Sequence, residues 1–236
     1  ARDHFIRMRQ LMQNNTTETH HPVTNIQVDV NPETGMISIC NDGDGIDIAK
    51  HPEHDIWIPE MIFGHLRTST NYQKDEKRIV GGKNGFGFKL VLIYSTWGKI
   101  ETVDHKRGLK YVQEFHDNLT RIDKPKVTKC SKKPYTRVSW IPDYKRFNLE
   151  QLTPDMERIF KKRTYDISCV TDKNLKVKYN SNIVPVKTFE QYVNMFVGDK
   201  SETNRVYEYA NDRWEYAVCL STTDEFAQVS FVNGIH

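Results

Sequence analysis

The sequence predicts an α+β fold, a mixed sheet carrying helices on one face. Short runs that alternate apolar and polar residues recur from residue 25 to 186. Between them lie segments with helical spacing and recognisable start signals. Beyond about residue 204 only strand-like runs remain, which places a domain boundary near residue 200.

Taken in order, "ARDHFIRMRQLMQ" is helical from its first residues, with Phe5, Met8 and Met12 on one face, and no capping residue precedes Ala1. It reads as the remainder of a helix that starts upstream. After a polar loop, "NIQVDV" and "MISIC" flank the turn "NPETG", which predicts a hairpin over residues 25–40. "IPEMIFGHL" opens with a proline suited to a first helical turn. Residues 66–82 are polar without a period, the signature of a long binding loop, a lid or disorder. A helix is expected from the glycine cluster through about Ser95, then strands at "KIETV", "KYVQEF" and "TRVSWI". Thr153 and Pro154 start a helix through "TPDMERIFKKRTYDI". "LKVKY-NSN-IVPV" reads as a hairpin and "FEQYVNMF" as a short helix, followed by strands at "RVYEYA", "WEYAVCL" and "FAQVSFVNGI".

With 236 residues, 37% hydrophobic and 28% charged, the chain has ample material for a core. A net charge of +3 gives no global field that by itself points to nucleic acid. No stretch of eighteen apolar residues exists, so no membrane span or membrane partner is expected, and no secretory signal is visible. The four cysteines are far apart without C-x-x-C spacing, as reduced thiols of an intracellular protein are. The histidine pairs His20–His21 and His51–His54 sit beside prolines and lack a metal-binding helix pattern.

Two motifs carry the chemistry. "GGKNGFGFK", residues 81–89, places four glycines and two lysines before an apolar helix. Such a turn is either a flexible surface loop or a phosphate cradle, where N–H groups and the helix dipole converge. It fits neither the P-loop nor the dinucleotide pattern: Phe88 separates Gly87 from Lys89, and the glycine order is reversed. "NDGDGI", residues 41–46, ends a strand with an amide that can offer both a donor and an acceptor to one edge of a planar base. Its glycines would let that base lie against the backbone; a plain turn is the other reading.

Together with "TSTN" in the long loop, these motifs resemble the ATPase domain of eukaryotic-type type II DNA topoisomerases. That family sits in the wider GHKL class with gyrase, a chaperone class, histidine kinases and MutL-type repair proteins. "IPEMIFGHLRTSTNYQKDEKRIVGGKNGFGFKL", "KRTYDI", "RWEYAVCL" and "FAQVSFVNGI" extend the resemblance, in order, across nearly the whole chain. It implies a Bergerat-type ATP-binding sandwich over residues 1–203 and the first strands of a transducer domain over 204–236. It implies ATP and Mg2+ as cofactors, double-stranded DNA as partner, and a homodimer formed through an ATP-dependent gate that captures a duplex for passage through a double-strand break.

Carried over residue by residue, the resemblance puts Asn41 on the adenine. Ser69, Thr70 and Asn71 fall on the ribose and phosphates. Gly82, Lys83, Asn84, Gly85, Phe86, Gly87, Phe88 and Lys89 form the phosphate loop, with Lys89 as a nearby cation. Asp44 stands where the family usually carries Lys or Arg, and Phe86 and Phe88 where it carries Tyr and Ala. The general-base glutamate and the magnesium-binding asparagine are expected upstream of Ala1, and the phosphate-sensing lysine beyond His236. No catalytic or metal residue is therefore expected within the chain, and by itself it is expected not to hydrolyse ATP. A nuclear location, or the host cell for a viral source, follows from the same resemblance. Two other readings remain: a DNA-binding module using the basic run 124–137 and "RIFKKR", and a chaperone-like ATPase of the same class.

Overall fold

In the computed structural model, the described residues are 21–66, 85–211, 213–221, 225–232 and 234–236. The expected first helix and most of the long loop lie outside them.

Alternation does what the sequence predicts at the centre of the chain. Strands β1 (Asn25–Asn31) and β2 (Met36–Asp42) form the hairpin, with Val28 opposite Ile39 and Ile26 opposite Asn41. β3 (Ser95–Asp104), β4 (Leu109–His116), β5 (Arg121–Ile122), β6 (Lys126–Lys129) and β7 (Tyr135–Pro142) follow, then β8 (Lys176–Tyr179) and β9 (Asn182–Ile183). They make one sheet in the order β5-β4-β3-β7-β2-β1-β8-β9, with β6 also paired to β4. Only β1 and β8 run parallel among these pairs.

One face of the sheet is apolar because strand residues alternate sides. Ile26, Val28 and Val30 continue through Ile37, Val138, Trp140, Ile100 and Phe115, all buried. The other face carries Lys99, Glu101, Lys110 and Arg137. Helices α1 (Ile58–Gly64), α2 (Gly87–Ile93), α3 (Pro154–Cys169) and α4 (Phe189–Val197) join the core. Thr153 caps α3 by accepting from Met156 N–H, and Thr188 caps α4 by accepting from Gln191 N–H.

Three differences from the sequence reading have local causes. The helix after the glycine cluster stops at Ile93 because Ser95 already pairs with Pro142 in β3–β7, and the Ser95 hydroxyl closes on the Val91 carbonyl at 2.6 Å. Lys126–Lys129, part of the basic run, is a strand on the edge of β4. "FAQVSFVNGI" forms no strand among the described residues: only Val232 and Ile235 bridge, and Phe226 is 89% exposed. A strand needs a partner ladder, and β10 (Arg205–Asn211) and β11 (Trp214–Cys219) bond only to each other.

Candidate functional site

At the open end of β2 the covered face becomes polar. Asn41 pairs with Thr136 of β7, and Thr136 pairs with Thr102 of β3, so three short polar side chains form a row across three strands. The two hydroxyls lie 3.0 Å apart, and Thr102 Oγ1 accepts from Ile46 N–H at 2.9 Å. Asn41 is partly buried, and its Nδ2 donates to the Asp42 carbonyl at 2.7 Å. Thr102 is fully buried, whereas Thr136 is half-buried and faces the Asn41 side of the row.

The rest of the 41–46 motif is structural. The Asp42 carboxylate accepts from Thr24 N–H and Asn25 N–H at 2.7 and 2.8 Å and from the Thr24 hydroxyl, fixing the start of β1. Gly45 has φ +76, and a Cβ there would stand 2.0 Å from the Val103 carbonyl oxygen. Its bare backbone serves a close approach to β3.

Helix α2 brings the second motif over the same face. Phe88 packs edge-on against Phe63 of α1 and against Trp140 of β7, with ring centres 5.0 and 6.1 Å apart. Gly98 of β3 lets α2 come close, since a Cβ there would meet Leu92 Cδ2 at 2.3 Å. At the far end, Asn118 Nδ2 and Arg146 NH1 donate to the Ile93 carbonyl. Trp140 is four residues along β7 from Thr136, roughly 13 Å at strand rise.

The opening of α2 is built for access. Gly85 has φ +65, a conformation that suits glycine. At Gly87 a Cβ would meet nothing within 4 Å. Phe86 at the N-cap makes no side-chain cap, and the first ladder bond runs from Leu90 N–H to the Phe86 carbonyl, so the N–H groups of Gly87, Phe88 and Lys89 precede that ladder. Phe86 is partly exposed, whereas Lys89 is 4% exposed, and burial lowers its ammonium pKa. An anion close to it would act against that lowering.

Of the expected site residues, Asn41, Gly85, Phe86, Gly87, Phe88 and Lys89 are thus placed on one face, Phe88 as a packing residue. Ser69, Thr70, Asn71, Gly82, Lys83 and Asn84 lie outside the described residues. Thr136 and Thr102, which join Asn41 in the row, did not stand out in the sequence, although "YTRVSWI" carries a signal: a small hydroxyl stands two positions before Val138 on the core face. The basic run is divided between a strand and a loop. β6 takes up Lys126 and Lys129, while Lys132 and Lys133 are exposed in the connection to β7. A cavity away from both motifs lies between α4 and β11, lined by Tyr192, Phe196, Val218 and Phe226. Among the described residues no helix is long and apolar enough to cross a membrane.

A mixed sheet with helices on one face, a polar row at its open end and a glycine-opened helix above it defines the Bergerat-type, GHKL class of folds. No family model matches the chain. It is 44% identical over 213 residues to DNA topoisomerase 2 of Acanthamoeba polyphaga mimivirus, covering 89% of this chain and 17% of that protein. It is 44% identical over 217 residues to DNA topoisomerase 2 of Arabidopsis thaliana, covering 89% of this chain and 15% of that protein. The crystal structure of the ATPase region of Saccharomyces cerevisiae topoisomerase II superimposes with a TM-score of 0.85 at 39% identity, over 90% of this chain and 56% of that one. The ATPase and transducer domains of DNA topoisomerase II from Balamuthia mandrillaris give 0.84 at 36% identity, over 91% and 54%. The chain belongs to the type II DNA topoisomerase family and corresponds to its ATPase region. It spans about a sixth of the length of these curated relatives.

Proposed function

We propose that the chain binds ATP as the gate of a type II topoisomerase, with adenine at the Asn41–Thr136–Thr102 row and phosphates at the opening of α2. The observation that carries this is that both features border one covered face: Thr136 beside Asn41 and Trp140 against Phe88 of α2 stand roughly 13 Å apart along β7. An extended nucleoside triphosphate lies along such a distance. Asn41 offers its amide to the base edge, and Thr136 adds a hydroxyl beside it. The N–H groups at the start of α2 and the helix dipole meet the phosphate charge, and an anion there would offset the burial that lowers the Lys89 pKa. Gly87 leaves room for phosphate oxygens where any side chain would stand.

Ser69, Thr70 and Asn71, with Gly82, Lys83 and Asn84, complete the ribose and phosphate contacts in this reading, as the family resemblance implies. Mg2+ enters only as companion of the triphosphate. The described clusters that could hold a metal each carry two histidines and one carboxylate, a donor set unlike the oxygen ligands magnesium takes. Residues 204–236 begin a second, transducer domain; the separate β10–β11 sheet supports that boundary. In the whole protein, two such gates would close around a DNA duplex, in the nucleus or in the host cell of a virus. Displacement of a fluorescent ATP analogue tests the reading. The parent chain should bind saturably and Gly87→Val should not, with unchanged circular dichroism. Equal binding by both would remove the phosphate assignment.

A further inference from the structure

We infer that His21, Asp44 and His105 form a binding site for a transition-metal ion of the Zn2+ type, separate from any magnesium that accompanies a nucleotide. The three residues come from three segments: the stretch leading into β1, the loop after β2, and the turn between β3 and β4. Their candidate ligand atoms all lie within 4.8 Å of one another. His21 Nδ1 stands 3.4 Å and His105 Nδ1 3.9 Å from Asp44 Oδ1, and the imidazole rings meet edge to face at 4.3 Å. Ligands of a tetrahedral zinc with bonds of about 2.1 Å stand roughly 3.4 Å apart, so the cluster needs only small adjustments to close on an ion. Two imidazoles and one carboxylate suit zinc and its neighbours, and leave a fourth position for water.

Each ligand rests on a fixed frame. The His21 N–H donates to Asp44 Oδ1 at 2.6 Å, and the next residues are tied through Thr24 to the Asp42 carboxylate. The loop bearing Asp44 lies flat on β3 through Gly45, and the Ile46 N–H is held by Thr102. His105 follows Asp104, whose carboxylate accepts from Ile48 N–H at 2.9 Å and Arg107 NH1 at 2.7 Å. Asp44 and His105 are 15% and 19% exposed at their side chains, His21 47%. The other cluster of this composition, His51, Glu53 and His54, is looser, with Glu53 and His54 exposed. A bound ion would clasp the loop that leaves Asn41, coupling metal binding to the end of the sheet where the polar row lies.

The test is a titration of the purified chain with Zn2+ in competition with a coloured chelator, repeated with Co2+ for its four-coordinate absorption. One equivalent should bind with that absorption. Substitution of groups merely supporting a metal site lowers affinity about 10–100-fold, so losing a ligand in Asp44→Asn, His105→Ala or the more exposed His21→Ala should cost at least as much. The doubly substituted His51→Ala/His54→Ala chain should retain that equivalent. Metal binding unchanged in Asp44→Asn and His21→Ala, or lost only in the His51/His54 variant, would overturn the assignment, as would no binding by the parent. Neither outcome touches the ATP reading, because none of the substituted residues belongs to the polar row or to α2.

Discussion

Asn41 and Thr136 are cross-strand partners at the open end of β2 and β7, and the Thr136 hydroxyl is 3.0 Å from that of Thr102. If both partners contact one base edge, Thr136→Val should weaken ATP-analogue binding by about 1–3 kcal/mol, roughly 5- to 150-fold. The effect should combine less than additively with Asn41→Ala, as it does for residues sharing a ligand. Competition binding of the two single variants and the double variant checks this; strictly additive losses would separate Thr136 from the base.

Gly85 and Gly87 should respond differently to substitution. Gly85 has φ +65, so Gly85→Ala should cost about 1–2 kcal/mol of stability. Gly87 has open space at its Cβ, so Gly87→Val should leave urea unfolding nearly unchanged while nucleotide binding is lost. Unfolding midpoints of both variants decide the matter. A Gly87→Val chain as destabilised as Gly85→Ala would make that glycine a packing residue.

Phe88 stands where the family resemblance expects alanine, yet it wedges between Phe63 and Trp140. Phe88→Ala should destabilise the chain by about 3 kcal/mol, the low end for a phenylalanine that is only partly buried. Thermal unfolding of parent and variant measures it; a loss below about 0.5 kcal/mol would mean the ring contributes nothing beyond ordinary surface.

On the open face of the sheet, Glu101 and Lys110 pair at 2.7 Å. Burial is the largest influence on the Glu101 pKa and alone would raise it, but the contact with Lys110, together with the nearby charges of Lys99 and Arg137, leaves the value lowered; the same contact raises that of Lys110. A lowered carboxylate contributes stability above its unfolded value near 4.3, lost as pH falls through the folded value. A raised lysine contributes below about 10.4, lost as pH rises through its folded value. The stability gap between parent and Glu101→Gln should therefore be full between those limits and shrink at both ends. Urea unfolding across pH reads it, and a gap that widens on acidification would contradict the pairing.

The central strands and helices were legible because alternation and start signals act locally: Val28 against Ile39, Thr153 at its cap. Asn41 and the glycine cluster were legible for the same reason, since each motif is contiguous. Thr136 was not, because a threonine in an alternating strand is ordinary until its pairing partner is known. The close approach of Val103 to Gly45 was not legible either, because nothing in "NDGDGI" shows that β3 passes there. The His21–Asp44–His105 cluster joins positions separated by 23 and 61 residues, which no spacing rule connects. "FAQVSFVNGI" has strand composition without a strand partner among the described residues.

The central claim, that the row at Asn41 and the opening of α2 together hold ATP, is tested most directly by calorimetry of the chain with a non-hydrolysable ATP analogue, beside the matching guanine analogue. One site per chain should bind the adenine analogue in preference, and Asn41→Ala should erase most of that preference by weakening the adenine complex about 5- to 150-fold. Saturable binding that is equal for both bases, and unchanged in Asn41→Ala, would contradict the account.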